Sequence, residues 1–247
     1  LMGLWAERQP AARENPLTRR DVLGIVGLGF VGYYLSSYLD FLGLQYVTAS
    51  LERLILYLNP TLVVVLGWAL YKKPIHPIRM LAMGVSYSGV LLVFAHELSF
   101  AGADVVLGGG LVFASALSYA LYLIYSGQLV QRVGSLRLVG WATSVACVCC
   151  LLQFVLLRPL SAAHVPVDVL WLAALNALAC TVAPVLMVMM AVERIGAALA
   201  AQTGMIGPMS TIALGVLILG EPLNAWIGVG TLLVLGGVFI VSRYGVK

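Results

Sequence analysis

Of 247 residues, 62% are hydrophobic and 10% charged, with a mean hydropathy of +1.02, which excludes a water-soluble globular domain and makes lipid the solvent of the folded chain. The formal charge of +4 raises nucleic acid as a partner, but the basic residues are spread by loop rather than gathered in one patch, so none is expected. Cys147, Cys149, Cys150 and Cys180 all fall inside apolar segments, which argues against a secreted disulfide framework; helical spacing also spreads the first three over different faces, so no metal site is expected.

Residues 1–20 open with Leu1-Met2-Gly3-Leu4-Trp5, which reads as the end of an earlier span with Trp5 at headgroup level, and continue as a polar cytoplasmic loop rather than a signal peptide. A spanning helix needs about 20 mostly apolar residues. Eight segments qualify: 21–42, 50–71, 78–95, 104–127, 137–157, 169–191, 196–219 and 224–243. Unpaired backbone groups are costly in hydrocarbon and the segments are too long and too evenly apolar for barrel strands, so the fold class is all-α, a polytopic transmembrane helix bundle.

Basic residues alternate by loop. Arg8, Arg13, Arg19 and Arg20 precede the first span, Lys72, Lys73 and Arg79 follow the second, Arg132 and Arg137 the fourth, Arg194 the sixth, and Arg243 and Lys247 close the chain. The opposite loops hold only Arg158, so the positive-inside rule places both termini in the cytoplasm.

The first span carries Tyr33, Ser36, Ser37 and Asp40 at i, i+3, i+4 and i+7, one face of an α-helix. Glu52 and Arg53 are the only adjacent acid and base inside a span and lie near the level of Asp40. They either snorkel and pair with each other, or one carboxylate exchanges a proton while Arg53 neutralises an anionic solute. Asn59 is a neutral hydrogen bonder beside Pro60, which removes a backbone bond and predicts a kink; Pro208 predicts another at the matching position. Such kinks expose carbonyls to a cavity or only shape the bundle.

Span 104–127 carries Ser115, Ser118, Tyr119, Tyr122 and Ser126. Its small residues are expected to pack, and Tyr119 and Tyr122 to face a cavity. Asn176, Cys180 and Thr181 on the sixth span, and Gln202 and Thr203 on the seventh, suit a polar organic solute.

Residues 44–93 recur without a gap at 192–241, a displacement of 148, so that Pro60 meets Pro208, Leu66-Gly67 meets Leu214-Gly215 and Gly89-Val90 meets Gly237-Val238. Five spans separate any point from its copy, an odd number that inverts the second copy in the membrane. Residues 21–95 then form the first repeat with three of five helices and 104–247 the second with five, so a ten-helix protein with its first two helices missing is expected.

The run Gly43-Leu44-Gln45-Tyr46-Val47-Thr48-Ala49-Ser50-Leu51 leading into Tyr57-Leu58-Asn59-Pro60, with Gly220-Glu221-Pro222 and Gly236-Gly237-Val238, resembles the EamA-type permeases of the drug/metabolite transporter superfamily. The first copy departs from the second by holding Lys72-Lys73-Pro74 where Gly220-Glu221-Pro222 stands. The resemblance implies two inverted five-helix repeats and movement of small metabolites across the bacterial inner membrane, with efflux favoured over uptake. Expected partners are a small-molecule solute and the bilayer, with a homodimer left open. No cofactor is expected, and no phosphate-cradling loop for ATP is present in the sequence. A non-transporting assembly subunit and a membrane-embedded enzyme on lipid-linked substrates stand as rivals, the second lacking the clustered acids, histidines or nucleophile it needs.

Overall fold

A computed structural model of the chain describes residues 3, 7, 16–72, 77–101, 104–163, 165–203 and 225–244. All regular structure among these is helical: α1 (Arg19–Leu28), a first π-turn (Gly29–Leu35), α2 (Ser36–Gly43), α3 (Ala49–Leu56), α4 (Asn59–Tyr71), α5 (Pro77–Ala101), α6 (Asp104–Val133), α7 (Ser135–Leu157), a short 3₁₀ turn (Leu160–Ala163), α8 (Val167–Leu175), a second π-turn (Asn176–Val182), α9 (Ala183–Ile195), α10 (Ala197–Thr203) and α11 (Ala225–Tyr244). The expected polytopic bundle is therefore observed. Among the described residues five continuous stretches are long and apolar enough to cross a membrane, Arg19–Gly43, Leu51–Tyr71, Asp104–Val133, Ser135–Leu157 and Val167–Ile195, with shorter apolar cores at Met80–His96 and Gly228–Gly237. Most of the expected span 196–219, with Pro208, lies outside the described residues.

Three spans depart from uniform α-helix. The first and sixth each contain a π-turn, and the second is interrupted at Tyr57-Leu58. The face expected of Tyr33, Ser36, Ser37 and Asp40 is consequently not continuous. The first π-turn ends at Leu35, so the α-periodicity that would align Tyr33 with Ser37 does not run through; Ser36 is buried while Ser37 is exposed.

The chain forms two compact units, Leu1–Tyr34 with Tyr125–Ala197, and Leu35–Ile124 with Ala198–Lys247. In the first unit α1 begins at a capping box: the Thr18 amide donates to Asp21 Oδ2 at 2.7 Å and the Asp21 amide donates to Thr18 Oγ1 at 3.3 Å. Arg132 reaches the same carboxylate at 3.1 Å. Helix α1 packs on α7, and the approach is close at Gly29, where a Cβ would sit 2.5 Å from the Ala142 carbonyl oxygen. Arg137, at the start of α7, donates from Nε and Nη2 to the Glu7 carboxylate at 3.1 and 2.9 Å, and Trp141 Nε1 donates to Glu7 at 3.1 Å. The Ser135 amide donates to Glu193 Oε2 at 3.2 Å, so a side chain of α9 satisfies one free N–H at the start of α7. Gly134, at positive φ, makes the joint from α6 to α7, and Gly196, also at positive φ, ends α9.

In the second unit the main contact is α5 against α11. A Cβ on Gly89 would meet the Gly230 carbonyl oxygen at 2.6 Å, one on Gly237 would collide with Ala82 and Ser86, and Ser86 Oγ donates to the Val234 carbonyl at 3.3 Å. Positions rise along α5 (82, 86, 89) as they fall along α11 (237, 234, 230), so the helices cross antiparallel at a seam of small residues. Elsewhere Ser115 Oγ donates to the Ser36 carbonyl at 2.8 Å, tying α6 to α2, and Gly43 and Gly108 bring the same two helices close. Leu51, Leu54, Leu58, Val93, Val105 and Val112 fill the core.

Candidate functional site

The second unit contains the interruption between α3 and α4. Thr48 caps the start of α3, its Oγ1 accepting from the Leu51 amide at 3.2 Å. After the eight residues of α3 the ladder changes: Tyr57 N–H still donates to the Arg53 carbonyl at 3.0 Å, but Leu58 N–H donates three residues back, to Ile55, at 3.0 Å. Pro60 stands in the first turn of α4, where its missing N–H is tolerated, and it leaves the Leu56 carbonyl without the donor a continuous helix would supply. Thr61 Oγ1 and Leu62 N both donate to the Leu58 carbonyl, at 2.6 and 2.9 Å, and fix the restart. Pro60 thus sits just beyond a break rather than at the middle of a bent helix.

Polar groups near this break lack hydrogen-bond partners among the described residues. The Tyr57 hydroxyl, Asn59 Oδ1 and Asp40 Oδ1 are buried and make no hydrogen bond among the described residues. Tyr57 is 2% exposed and Glu52 8%. Glu52 lies within Coulombic reach of Asp40 and Arg53, and Tyr57 within reach of Arg53. A buried polar atom left unsatisfied costs about 1–3 kcal/mol; Tyr57 and Asn59 stand at the helix interruption, and Asp40 lies in the same unit within Coulombic reach of Glu52. Thr231 Oγ1 is a fourth such atom, on α11, which packs against α3 and α4 as well as α5.

Sequence reading singled out Asp40, Glu52, Arg53, Asn59 and Pro60, and the structure gathers Asp40, Glu52 and Arg53 electrostatically and puts Asn59 and Pro60 at the restart of the helix. It missed Tyr57 and Thr231. Tyr57 was legible in principle, four residues beyond Arg53 and three before Pro60, where a side chain at the interrupted turn must land; Thr231 carries no such signal. Tyr119 and Tyr122 stack at 5.7 Å, but Tyr122 is 1% exposed and belongs to the core, leaving Tyr119 half-buried. Ser37 is exposed on α2.

Three more candidates fall in the first unit, all in π-turns. Tyr33 is half-buried in the first. Asn176 and Thr181 are exposed in the second, where Thr181 Oγ1 donates to the Asn176 carbonyl at 3.5 Å and the Ala183 amide donates five residues back to Leu178. Gln202 and Thr203 lie on α10, their side chains outside the description, as is Pro208. Among the described residues no group of three or more His, Cys, Asp or Glu could hold a metal ion, and the four cysteines are unpaired as disulfides.

The EamA-like transporter family matches residues 1–95 and 106–243, nearly the whole chain. The "Uncharacterized transporter YcbK" of Bacillus subtilis (strain 168) is 30% identical over 232 residues, covering 90% of this chain and 71% of that protein. The "Uncharacterized transporter YyaM" of the same organism is 24% identical over 232 residues, covering 91% and 74%. A solved structure described only as "Crystal structure of protein" aligns with a TM-score of 0.60 over 100% of this chain and 96% of its own, at 17% identity, a likeness of fold alone. With its apolar spanning helices, this chain belongs to the EamA-like transporter family of integral membrane proteins.

Proposed function

We propose that the protein is a secondary active transporter that moves a small polar or amphipathic metabolite across the bacterial inner membrane by alternating access, in the efflux direction. The observation that carries this reading is the interrupted span between α3 and α4, with the unpartnered buried oxygens of Asp40, Tyr57 and Asn59 around it. Broken helices with free backbone and polar side chains are where bilayer transporters hold their solutes. Tyr57 and Asn59 hydrogen-bond the solute, Asp40 or Glu52 exchanges a proton or counter-charge, and Arg53 balances that charge or meets an anionic group. Tyr33, Ser37, Tyr119, Tyr122, Asn176, Thr181, Gln202 and Thr203 line the remaining path.

The chain is read as two inverted repeats, 21–95 and 104–247, with both termini cytoplasmic. The antiparallel α5–α11 crossing supports inversion, because it pairs residues related by the displacement of the sequence repeat. Charged loops on one side support the orientation. The test is solute flux in proteoliposomes, using as probe whichever compound raises the melting point in a screen of amino acids, purines, organic acids and cationic drugs. Saturable flux that depends on a pH gradient or counter-solute, and that falls on Asn59→Ala, is expected; a folded protein that binds such a compound but never moves it would overturn the reading.

A further inference from the structure

The two π-turns are related to each other. The first spans Gly29–Leu35 and the second Asn176–Val182, bounds displaced by 147 residues, one short of the 148 that superposes the sequence copies. The gap-free sequence match begins only at Leu44, so this correspondence is independent of it. Under the 148-residue displacement Tyr33 and Thr181 are counterparts. π-Helix is well under 1% of protein structure, appears mostly as single turns and concentrates at functional sites. Two such turns stand at nearly the same position of the sequence repeat.

Their local causes differ. At the first, Gly29 packs so tightly on α7 that a Cβ would press the Ala142 carbonyl, and Gly29 N–H is shared between the Ile25 and Val26 carbonyls. At the second, Pro184 follows directly and removes the donor that the Cys180 carbonyl would otherwise receive, while the Ala183 amide reaches back five residues to Leu178. A close helix contact in one repeat and a proline in the other produce the same distortion at the same place. What the halves share is the widened turn itself.

A π-turn is one residue in excess of α-helix. When it migrates along a helix, each residue it passes rotates by about 100° relative to the helix behind it, since an α-helix has 3.6 residues per turn. It therefore offers two discrete side-chain settings at little cost in hydrogen bonds. We infer that the two π-turns are a matched pair of switch elements, one per repeat, whose shift along their helices swings Tyr33 and Thr181 on and off the solute path as the carrier changes state. This rests on the transporter reading and adds to it which segments move. The boundary between the two compact units crosses the first helix between Tyr34 and Leu35, inside its π-turn.

The experiment is hydrogen–deuterium exchange of the whole chain in lipid nanodiscs, comparing wild type with deletion of Val31, deletion of Ala179, and Pro184→Ala. In wild type, amides of 29–35 and 176–182 are expected to exchange at least about tenfold faster than those of 21–26 and 185–191. Removing the surplus residue from one turn should slow exchange there about tenfold and, because the halves alternate together, slow it at the other turn too. Should a deletion prevent folding, seen as lost protection across 135–157, Pro184→Ala carries the test by restoring a donor to the Cys180 carbonyl, and it is expected to slow exchange at both turns. Turns as protected as their flanks, or a variant that slows only its own turn, would overturn the proposal. Flux in liposomes that survives such a result would leave the carrier reading standing without this device.

Discussion

Ser86 Oγ donates a hydrogen bond to the carbonyl of Val234 at 3.3 Å, across 148 residues of chain. That separation equals the displacement between the two sequence copies, so each residue touches its own counterpart. The flanking contacts cross over in the same way, Gly89 meeting Gly230 as Ala82 meets Gly237, which is the pattern the proposed inverted repeat requires.

The crossing predicts position-specific costs for glycine substitution. Gly89→Ala and Gly237→Ala press a methyl group into the facing backbone and should each destabilise by about 1–3 kcal/mol, whereas Gly84→Ala and Gly228→Ala, with open space around the added Cβ, should be neutral or slightly stabilising. Thermal unfolding in detergent or nanodiscs separates the pairs. Equal melting points for all four would contradict the crossing.

Tyr57→Phe removes a hydroxyl that has no hydrogen-bond partner among the described residues. The variant should fold with unchanged or slightly higher stability, because a desolvated group is lost, while affinity for the transported solute drops by about tenfold, one hydrogen bond's worth. Lower melting temperature with unchanged affinity would make the hydroxyl structural instead.

Glu52→Gln tests charge coupling. If Glu52 carries the exchanged proton, the variant keeps its fold and its binding of solute but loses dependence of flux on an imposed pH gradient. Retention of that dependence moves the role to Asp40, whose Asp40→Asn variant then must lose it.

Ion pairs of the first unit differ in worth because their exposure differs. Arg137 is buried, its side chain 8% exposed, and Glu7→Gln leaves that charge without its carboxylate, a loss of about 3 kcal/mol. Arg132 is 55% exposed opposite Asp21, so Arg132→Gln should cost under about 1 kcal/mol. Chemical or thermal unfolding of the two variants ranks them; a larger loss for Arg132→Gln would contradict the burial argument.

Sequence made the helices legible because they rest on a signal that lipid enforces over tens of residues, apolar length. Local backbone choices were less visible. A one-residue surplus such as either π-turn leaves hydrophobicity unchanged, so Tyr33 and Ser37 looked aligned on α-periodicity when the turn between them offsets their faces. Pro60 announced an irregularity, but whether a proline bends a helix or restarts one depends on the preceding turn, here closed by Leu58 bonding to Ile55. Unpartnered atoms at Tyr57 and Thr231 are defined by what surrounds them, which no linear pattern reports.

The central claim, a solute site at the break between α3 and α4 that opens to each side in turn, is tested most directly by replacing the four cysteines, introducing Asn59→Cys, and applying a membrane-impermeant thiosulfonate reagent from either side of oriented proteoliposomes. Labelling from both sides, with each slowed when the solute found by thermal shift is present, is the predicted result. Labelling from one side only, or from neither while the denatured protein still reacts, would contradict it.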